Sequence, residues 1–183
     1  MLSLIEKAFL YLMEMDTPYE ILCMYIEKSR GVLNMHVIIE ATIEDLEDAV
    51  LLFDQYRVFY GQDSDLINAR IFISDKFVNN ESVILLARDT ADGEPVGFVQ
   101  MYPSFSSVSM KKLWILNDLF VTEKYRRQGV AQSLLNEAAN VASRTKTKGI
   151  ELSTASDNVN AQRLYKRNGY LKDETYFHYG LEI

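Results

Sequence analysis

An α/β fold is predicted, and three observations predict it. Trp114–Val121 is a near-continuous apolar run, the mark of a strand covered on both faces. Just downstream, Val130, Leu134, Leu135, Ala138, Val141 and Ala142 recur at a spacing near the helical repeat, giving one apolar face. Short β-branched or apolar runs and helix-spaced runs alternate along the rest of the chain.

In chain order, residues 1–34 read as two helical pieces, Leu2–Met15 and a second beginning at Thr17-Pro18. There Thr can cap and Pro suits the first helical position, and Gly31 is placed to stop the helix. They make an N-terminal extension, either a plain appended pair or a dimerisation arm or flap, ahead of one domain at 35–183. His36–Ala41 is β-branched and reads as the first strand. Thr42 caps a helix whose first turn is acidic, whose buried face is Leu46, Ala49, Val50 and Phe53, and which Gly61 ends. Asp65–Val78 is a second helix. Ser82–Arg88 and Val96–Tyr102 are strands joined by a turn at Asp92-Gly93, and Pro103–Ser109 is a Ser-rich connection. After the central strand and its helix, which Gly149 ends, come a strand at Ile150–Thr154 and a helix from Asn158 to Gly169. Two short strands complete the chain, near Tyr170–Lys172 and Thr175–Leu181.

A length of 183 residues suits one well-filled core, and the apolar and charged fractions are those of an ordinary soluble protein. The net charge of -7 argues against nucleic acid as the main partner and suits a cationic small molecule better. The single cysteine, Cys23, cannot form an internal disulfide. The early apolar run Ala8–Met13 is too short to span a bilayer, and no signal-peptide pattern is present. These features predict a cytoplasmic protein with no membrane partner, and no metal-ligand cluster is evident.

The chemistry centres on Arg126-Arg127-Gln128-Gly129-Val130-Ala131. A strand feeding a helix through a short loop leaves the first helical N–H groups unpaired, and the helix dipole and two arginines add positive charge. Gly129 and Ala131 let a ligand approach the backbone closely. Such a loop is a site for a polyphosphate. A second block, Asn158–Tyr170 (NVNAQRLYKRNGY), opens with an Asn and carries a Tyr two turns along.

Together these blocks resemble the GNAT superfamily of N-acetyltransferases, nearest in pattern to the polyamine, diamine and small-amine branch, over roughly Met35–Ile183. The resemblance implies a central mixed twisted sheet of about seven strands flanked by helices, splayed at the fourth. It implies acetyl-CoA as acyl donor, a small-molecule amine as acceptor, and a homodimer. Carried over by motif, Leu119, Phe120 and Val121 would bind the pantetheine arm, and the Leu119 amide would meet the thioester oxygen. Arg126, Arg127, Gln128, Gly129, Val130, Ala131 and Gln132 would hold the diphosphate. Asn158 would bond the pantetheine or cap its helix, and Lys166 would meet the ribose phosphate. Tyr165 would be the general acid at the sulfur. The first helix pair forms one wall of the acceptor pocket in the family, which makes Tyr56 and Tyr60 candidate substrate contacts, or core aromatics.

The base departs from the polyamine enzymes, which carry Glu-Asp in the central strand. Asn117 stands where their Glu falls and cannot take a proton. Asp118 remains as a catalytic candidate, either an anchor for a cationic amine, a base through water, or a hydrogen-bond partner fixing a loop. The expected activity is acetyl transfer to a primary amine by direct attack, with a small polyamine-like or amino-acid-like acceptor. Aminoglycoside or protein N-terminal acetylation, and a non-catalytic acetyl-CoA-binding module, are the alternatives.

Overall fold

The computed structural model describes residues 35–181 and Ile183, so the two helical pieces expected before Met35 lie outside the described residues. The strands are β1 (His36–Glu40), β2 (Val83–Asp89), β3 (Pro95–Ser106), β4 (Lys111–Val121) and β5 (Ile150–Glu151). The helices are α1 (Leu46–Phe59), α2 (Leu66–Val78), α3 (Val130–Arg144) and α4 (Val159–Arg167). The sheet runs β1-β2-β3-β4-β5. β1 to β4 are antiparallel neighbours, and β5 joins β4 in parallel.

Local chemistry sets the element ends. The Thr42 hydroxyl accepts the Glu44 N–H, while the Asp45 carboxylate accepts the Thr42 N–H at 2.9 Å, a reciprocal cap over the turn leading into α1. Asp65 caps α2 by accepting the Asn68 N–H at 3.0 Å. The loop between the helices is tied down by Asp54, a buried carboxylate that accepts from Ser64 Oγ and the Asp65 N–H, each at 2.7 Å. Gly61 and Gly169 follow α1 and α4 at φ of 81° and 82°.

Three layers result. On one sheet face α3 seats Val130, Leu134, Leu135, Ala138 and Val141 against Leu85, Val99, Met101 and Leu116. On the other, Ala49, Val50 and Leu52 of α1 and Ala69 and Ile73 of α2 cover Ile84, Leu86, Phe98 and Phe120. Strand alternation assigns residues to the two faces, and the side chains packed there are buried.

Four expectations are corrected. The sheet has five strands, not seven: Tyr170–Lys172 and Thr175–Leu181 form no ladder. The Asp173 carboxylate captures the N–H groups of Thr175 and Tyr176, which a ladder would need, and β5 is too short to offer an edge. The strand expected over Ile150–Thr154 keeps only its first two residues in the sheet. The Ser-rich stretch is largely strand: β3 runs through Pro103 to Ser106. Its pairing with β2 stops at Met101, so Pro103 sits where β3 has become an edge and no ladder N–H is missed. Finally, α3 ends at Arg144 rather than at Gly149, where Thr145 Oγ1 bonds the Val141 carbonyl at 2.6 Å and Lys146 turns to φ 53°.

Two irregularities mark the β3–β4 pair. The register steps from Gln100–Asp118 to Met101–Leu116, leaving Asn117 as an extra, bulged residue. Near the end of β4, Gly97 approaches so closely that a Cβ there would lie 2.7 Å from the Phe120 carbonyl oxygen.

Candidate active site

β4 and β5 share only the pairs Trp114–Ile150 and Ile115–Glu151, after which the two strands part. From Leu116 to Val121 the outer edge of β4 has no strand beside it among the described residues. A cleft of about 300 Å³ opens there. β4 contributes Leu116, Asn117, Leu119, Phe120 and Val121, and α1 with its C-cap contributes Tyr56, Phe59 and Tyr60. Ser153 and Thr154 beyond β5, and Asn158, Asn160, Ala161 and Tyr165 of α4 and its cap, form the far wall, with Arg126 and Ala131 at one end.

The loop that ends β4 makes one turn, Glu123–Tyr125, anchored by the buried Tyr125, whose hydroxyl donates to Glu94 at 3.1 Å. Gly129 then caps α3 at φ 88°, with no side-chain cap. The Ser133 N–H returns to the Gly129 carbonyl, but those of Gly129, Val130, Ala131 and Gln132 have no acceptor among the described residues. A Cβ added at Gly129 would meet nothing within 4 Å, so the space over these amides is open. Orphan amides, dipole and open space fit a diphosphate.

The side chains around this loop go separate ways. Val130 is in the core, so only its amide is available. Arg127 is exposed at φ 61°, and Gln128 Nε2 donates to the Lys124 carbonyl at 2.8 Å. Gln132 pairs with Asn168, whose Nδ2 donates to Gln132 Oε1 at 3.0 Å, tying α3 to α4. Arg126 folds back across the end of β4: its Nε donates to the Val121 carbonyl at 2.9 Å, and its guanidinium stacks 5.0 Å above the Phe59 ring. Arg126 therefore lies in the cleft rather than over the amides.

On the far wall, the Asn158 side chain accepts the Ala161 N–H at 3.1 Å and so caps α4. Two turns on, Tyr165 packs edge-on against Tyr170 with ring centres 5.7 Å apart. Burial, with the neighbouring Tyr60 and Tyr170, pushes its hydroxyl up to about 12. Lys166 is exposed and lies outside the cleft lining. The α1 wall is aromatic: Tyr56 meets Tyr60, Phe98 and Phe120 edge to face at 4.9, 5.9 and 6.3 Å.

Asn117 and Asp118 separate at the bulge. Asn117 is exposed to the cleft, whereas Asp118 is 4 % exposed and lies behind it on the α1 side. Burial pushes the Asp118 carboxyl up from its ordinary value, and the neighbouring Tyr56 hydroxyl and the Asn117 amide pull it partway back. The Asn117 amide donates to Asp118 Oδ1 at 3.1 Å. Tyr56 is itself pushed well above the usual tyrosine range by burial and by the Asp118 charge. Among the described residues no group of three or more His, Cys, Asp or Glu is placed to hold a metal ion. No helix among them is long and apolar enough to cross a membrane.

Sequence reasoning missed Phe59, Ser153, Thr154, Asn160 and the buried Gln100. Only Gln100 carried a signal, a polar residue inside an apolar strand, of the same kind that marked Asp118.

Comparison with known proteins agrees with this architecture. The profile of the acetyltransferase (GNAT) family matches residues 47–170. An uncharacterized N-acetyltransferase of Bacillus subtilis, YhfO, is 44 % identical over 144 residues, covering 79 % of this chain and 95 % of its own. The crystal structure of a probable acetyltransferase superposes with a TM-score of 0.76 at 41 % identity, over 80 % of this chain and 97 % of that one. The D-amino-acid N-acetyltransferase HPA3 of Saccharomyces cerevisiae is 30 % identical over 92 residues, or 50 % of this chain and 57 % of its own. Members of the family use acetyl-CoA as acyl donor. With a splayed fourth strand leading into an amide-lined loop, and with these relatives, the chain belongs to the acetyltransferase (GNAT) family and is an acyl-transferring enzyme.

Proposed function

We propose that the protein transfers an acetyl group from acetyl-CoA to the primary amine of a small polyamine-like or amino-acid-like molecule. The observation that carries this reading is the free edge of β4, which runs along one cleft from the orphan amides of α3 to Tyr165. Bound acetyl-CoA supplies an activated thioester, whose C–S bond gives way to a C–N bond as the amine attacks.

The chain's own groups divide the work. The Leu119 backbone offers strand-like hydrogen bonds to an extended ligand and an N–H for a carbonyl oxygen gaining charge. The amides of Gly129–Gln132 hold the diphosphate, with Arg127 and Gln128 at the rim. Tyr165, held protonated by its surroundings, is the proton donor for a departing thiolate. Tyr56, Tyr60 and Asn117 face the acceptor, and Asp118 behind them supplies the negative charge that draws an ammonium in. The narrow aromatic wall and a net charge of -7 favour a compact cationic acceptor. The amino-acid alternative gains from the likeness to the D-amino-acid enzyme.

A thiol-release assay with acetyl-CoA against polyamines, amino acids, aminoglycosides and peptides tests the reading. Turnover confined to small amines is expected. Acetyl-CoA binding with no turnover on any acceptor would leave a binding module and refute the catalytic proposal.

A further inference from the structure

β3 carries an amide where its pattern calls for an apolar side chain. Gln100 lies between Phe98 and Tyr102 on the sheet face covered by α1 and α2, and it is 0 % exposed. Its Nε2 donates to Ser82 Oγ at 2.9 Å. Its Oε1 has no donor among the described residues. A buried acceptor left this way costs about 1–3 kcal/mol. The residue directly across the ladder is Asp118, and the bulge at Asn117 keeps the pair in register on the same face. Opposed side chains stand about 4.5–5.5 Å apart at Cβ, within reach of one hydrogen bond between Gln and Asp. An ionised carboxylate has nothing to give Oε1, whereas a carboxylic acid has one O–H. The other neighbours do the reverse, since the Asn117 amide donates to the carboxylate and the nearby Tyr56 hydroxyl favours its charged form.

We propose that Gln100 is a positioning residue that receives the O–H of protonated Asp118, and that Asp118 thereby serves as proton acceptor for the incoming amine through the Tyr56 hydroxyl. This rests on the amine-acetylation reading. Asp118 lies behind the cleft wall while Tyr56 lines it, so Tyr56 is the bridge between them. The protons balance. The ammonium gives one proton to the Tyr56 oxygen as Tyr56 passes its own to Asp118. The products are a neutral amine, an unchanged tyrosine and a carboxylic acid bonded to Gln100 Oε1. One positive and one negative charge disappear together, which favours the step in a partly dry site. An ordinary carboxylate is too weak a base for efficient work near neutral pH, and an acceptor for the transferred proton strengthens it.

The titratable groups around Asp118 are Tyr56 from α1 and Tyr102 from β3. Lys76 and Glu81 stand beside Tyr102, and Tyr60 and Tyr165 beside Tyr56. None of the arginines or lysines of the described residues pairs with Asp118 itself.

The test is a ¹³C NMR titration of the Asp118 carboxyl in the full chain, in the wild type and in Gln100→Met, which keeps length and packing but removes the acceptor. The Asp118 midpoint should fall by roughly one pH unit, the size of one hydrogen bond. The acidic limb of kcat/KM should follow it down, with the KM for acetyl-CoA unchanged. Gln100→Glu, a charged acceptor, should move the midpoint the other way. An unmoved midpoint in Gln100→Met overturns the proposal. So does a rise, which would mean that the amide had been donating to the carboxylate, and so does a fall in Gln100→Glu. The carboxyl titration needs no turnover. A wild type inactive on every amine would refute the transfer reading alone, and the midpoints would still decide the Asp118–Gln100 pairing.

Discussion

Replacing Gly129 with glutamate separates the amide cradle from the stability of the fold. Gly129 sits at φ 88°, a conformation that costs an L-residue about 1–2 kcal/mol. An added Cβ meets no atom within 4 Å, so no steric cost is added. A carboxylate at a helix N-terminus returns about 0.3–1 kcal/mol through the dipole. The net loss is about 1 kcal/mol, or roughly 2–4 °C in Tm for a chain of this size. Binding responds far more. A carboxylate roughly 5 Å from a phosphate charge, at an effective dielectric constant of about 20, repels it by about 3 kcal/mol. That is a loss of more than ~100-fold in Kd. Titration calorimetry with acetyl-CoA, beside a thermal melt, reads both quantities. Gly129→Ala, with the same backbone cost and no charge, should bind acetyl-CoA with an affinity between those of the wild type and the glutamate variant, and should melt slightly below the glutamate variant. If the glutamate variant melts cooperatively and binds acetyl-CoA as tightly as the wild type, the diphosphate is not held there and the reasoning from orphan amides fails.

Tyr165→Phe should lower kcat by at least ~100-fold with little change in acetyl-CoA affinity; full activity would remove its role as acid. Because the hydroxyl is held up to about 12, the wild-type rate should show no basic limb from Tyr165 below that range. Asp118→Asn should raise Tm at neutral pH while lowering turnover. The folded chain binds the Asp118 proton more tightly than the unfolded chain does, so stability is fully present below the ordinary Asp range and lost as pH rises through the raised value. The stability gap between variant and wild type should narrow toward about pH 4, and a constant gap across a pH series of melts would refute this. Leu134→Ala, at a position 0 % exposed on the face of α3 against the sheet, should cost about 2–5 kcal/mol in urea unfolding. A much smaller loss would mean that α3 does not pack there.

The range of each interaction decides what the sequence could and could not disclose. The apolar run of β4 and the face of α3 are local patterns, and their elements lie where the residues place them. Gly129 was legible for the same reason, because a small residue before a helical repeat constrains its own neighbourhood. The Asn117 bulge is a relation between two strands and leaves no trace in one of them, so alternation alone could not assign Asn117 and Asp118 to different surroundings. The unpaired stretch Thr175–Leu181 has a strand-like composition, but pairing also needs a neighbour, and β5 offers only two residues. Arg126 illustrates the same limit. Its charge was evident, yet the aromatic ring of Phe59 that draws it into the cleft comes from a helix far away in sequence. Gln100 was visible as an anomaly, but its meaning required Ser82 and Asp118 to be set beside it.

The near-contact of Gly97 with the Phe120 carbonyl divides this enzyme into a half that selection can retouch and a half it must leave alone. Tyr60, 58 % exposed at the C-cap of α1, can be exchanged with little disturbance, so new acceptors can be sampled from that side. Position 97 tolerates no carbon beyond the main chain, because any addition displaces the Phe120 carbonyl and with it Val121, the last residue before the donor loop. Descendants of this chain are thus free to change what they acetylate while remaining bound to the same acyl source.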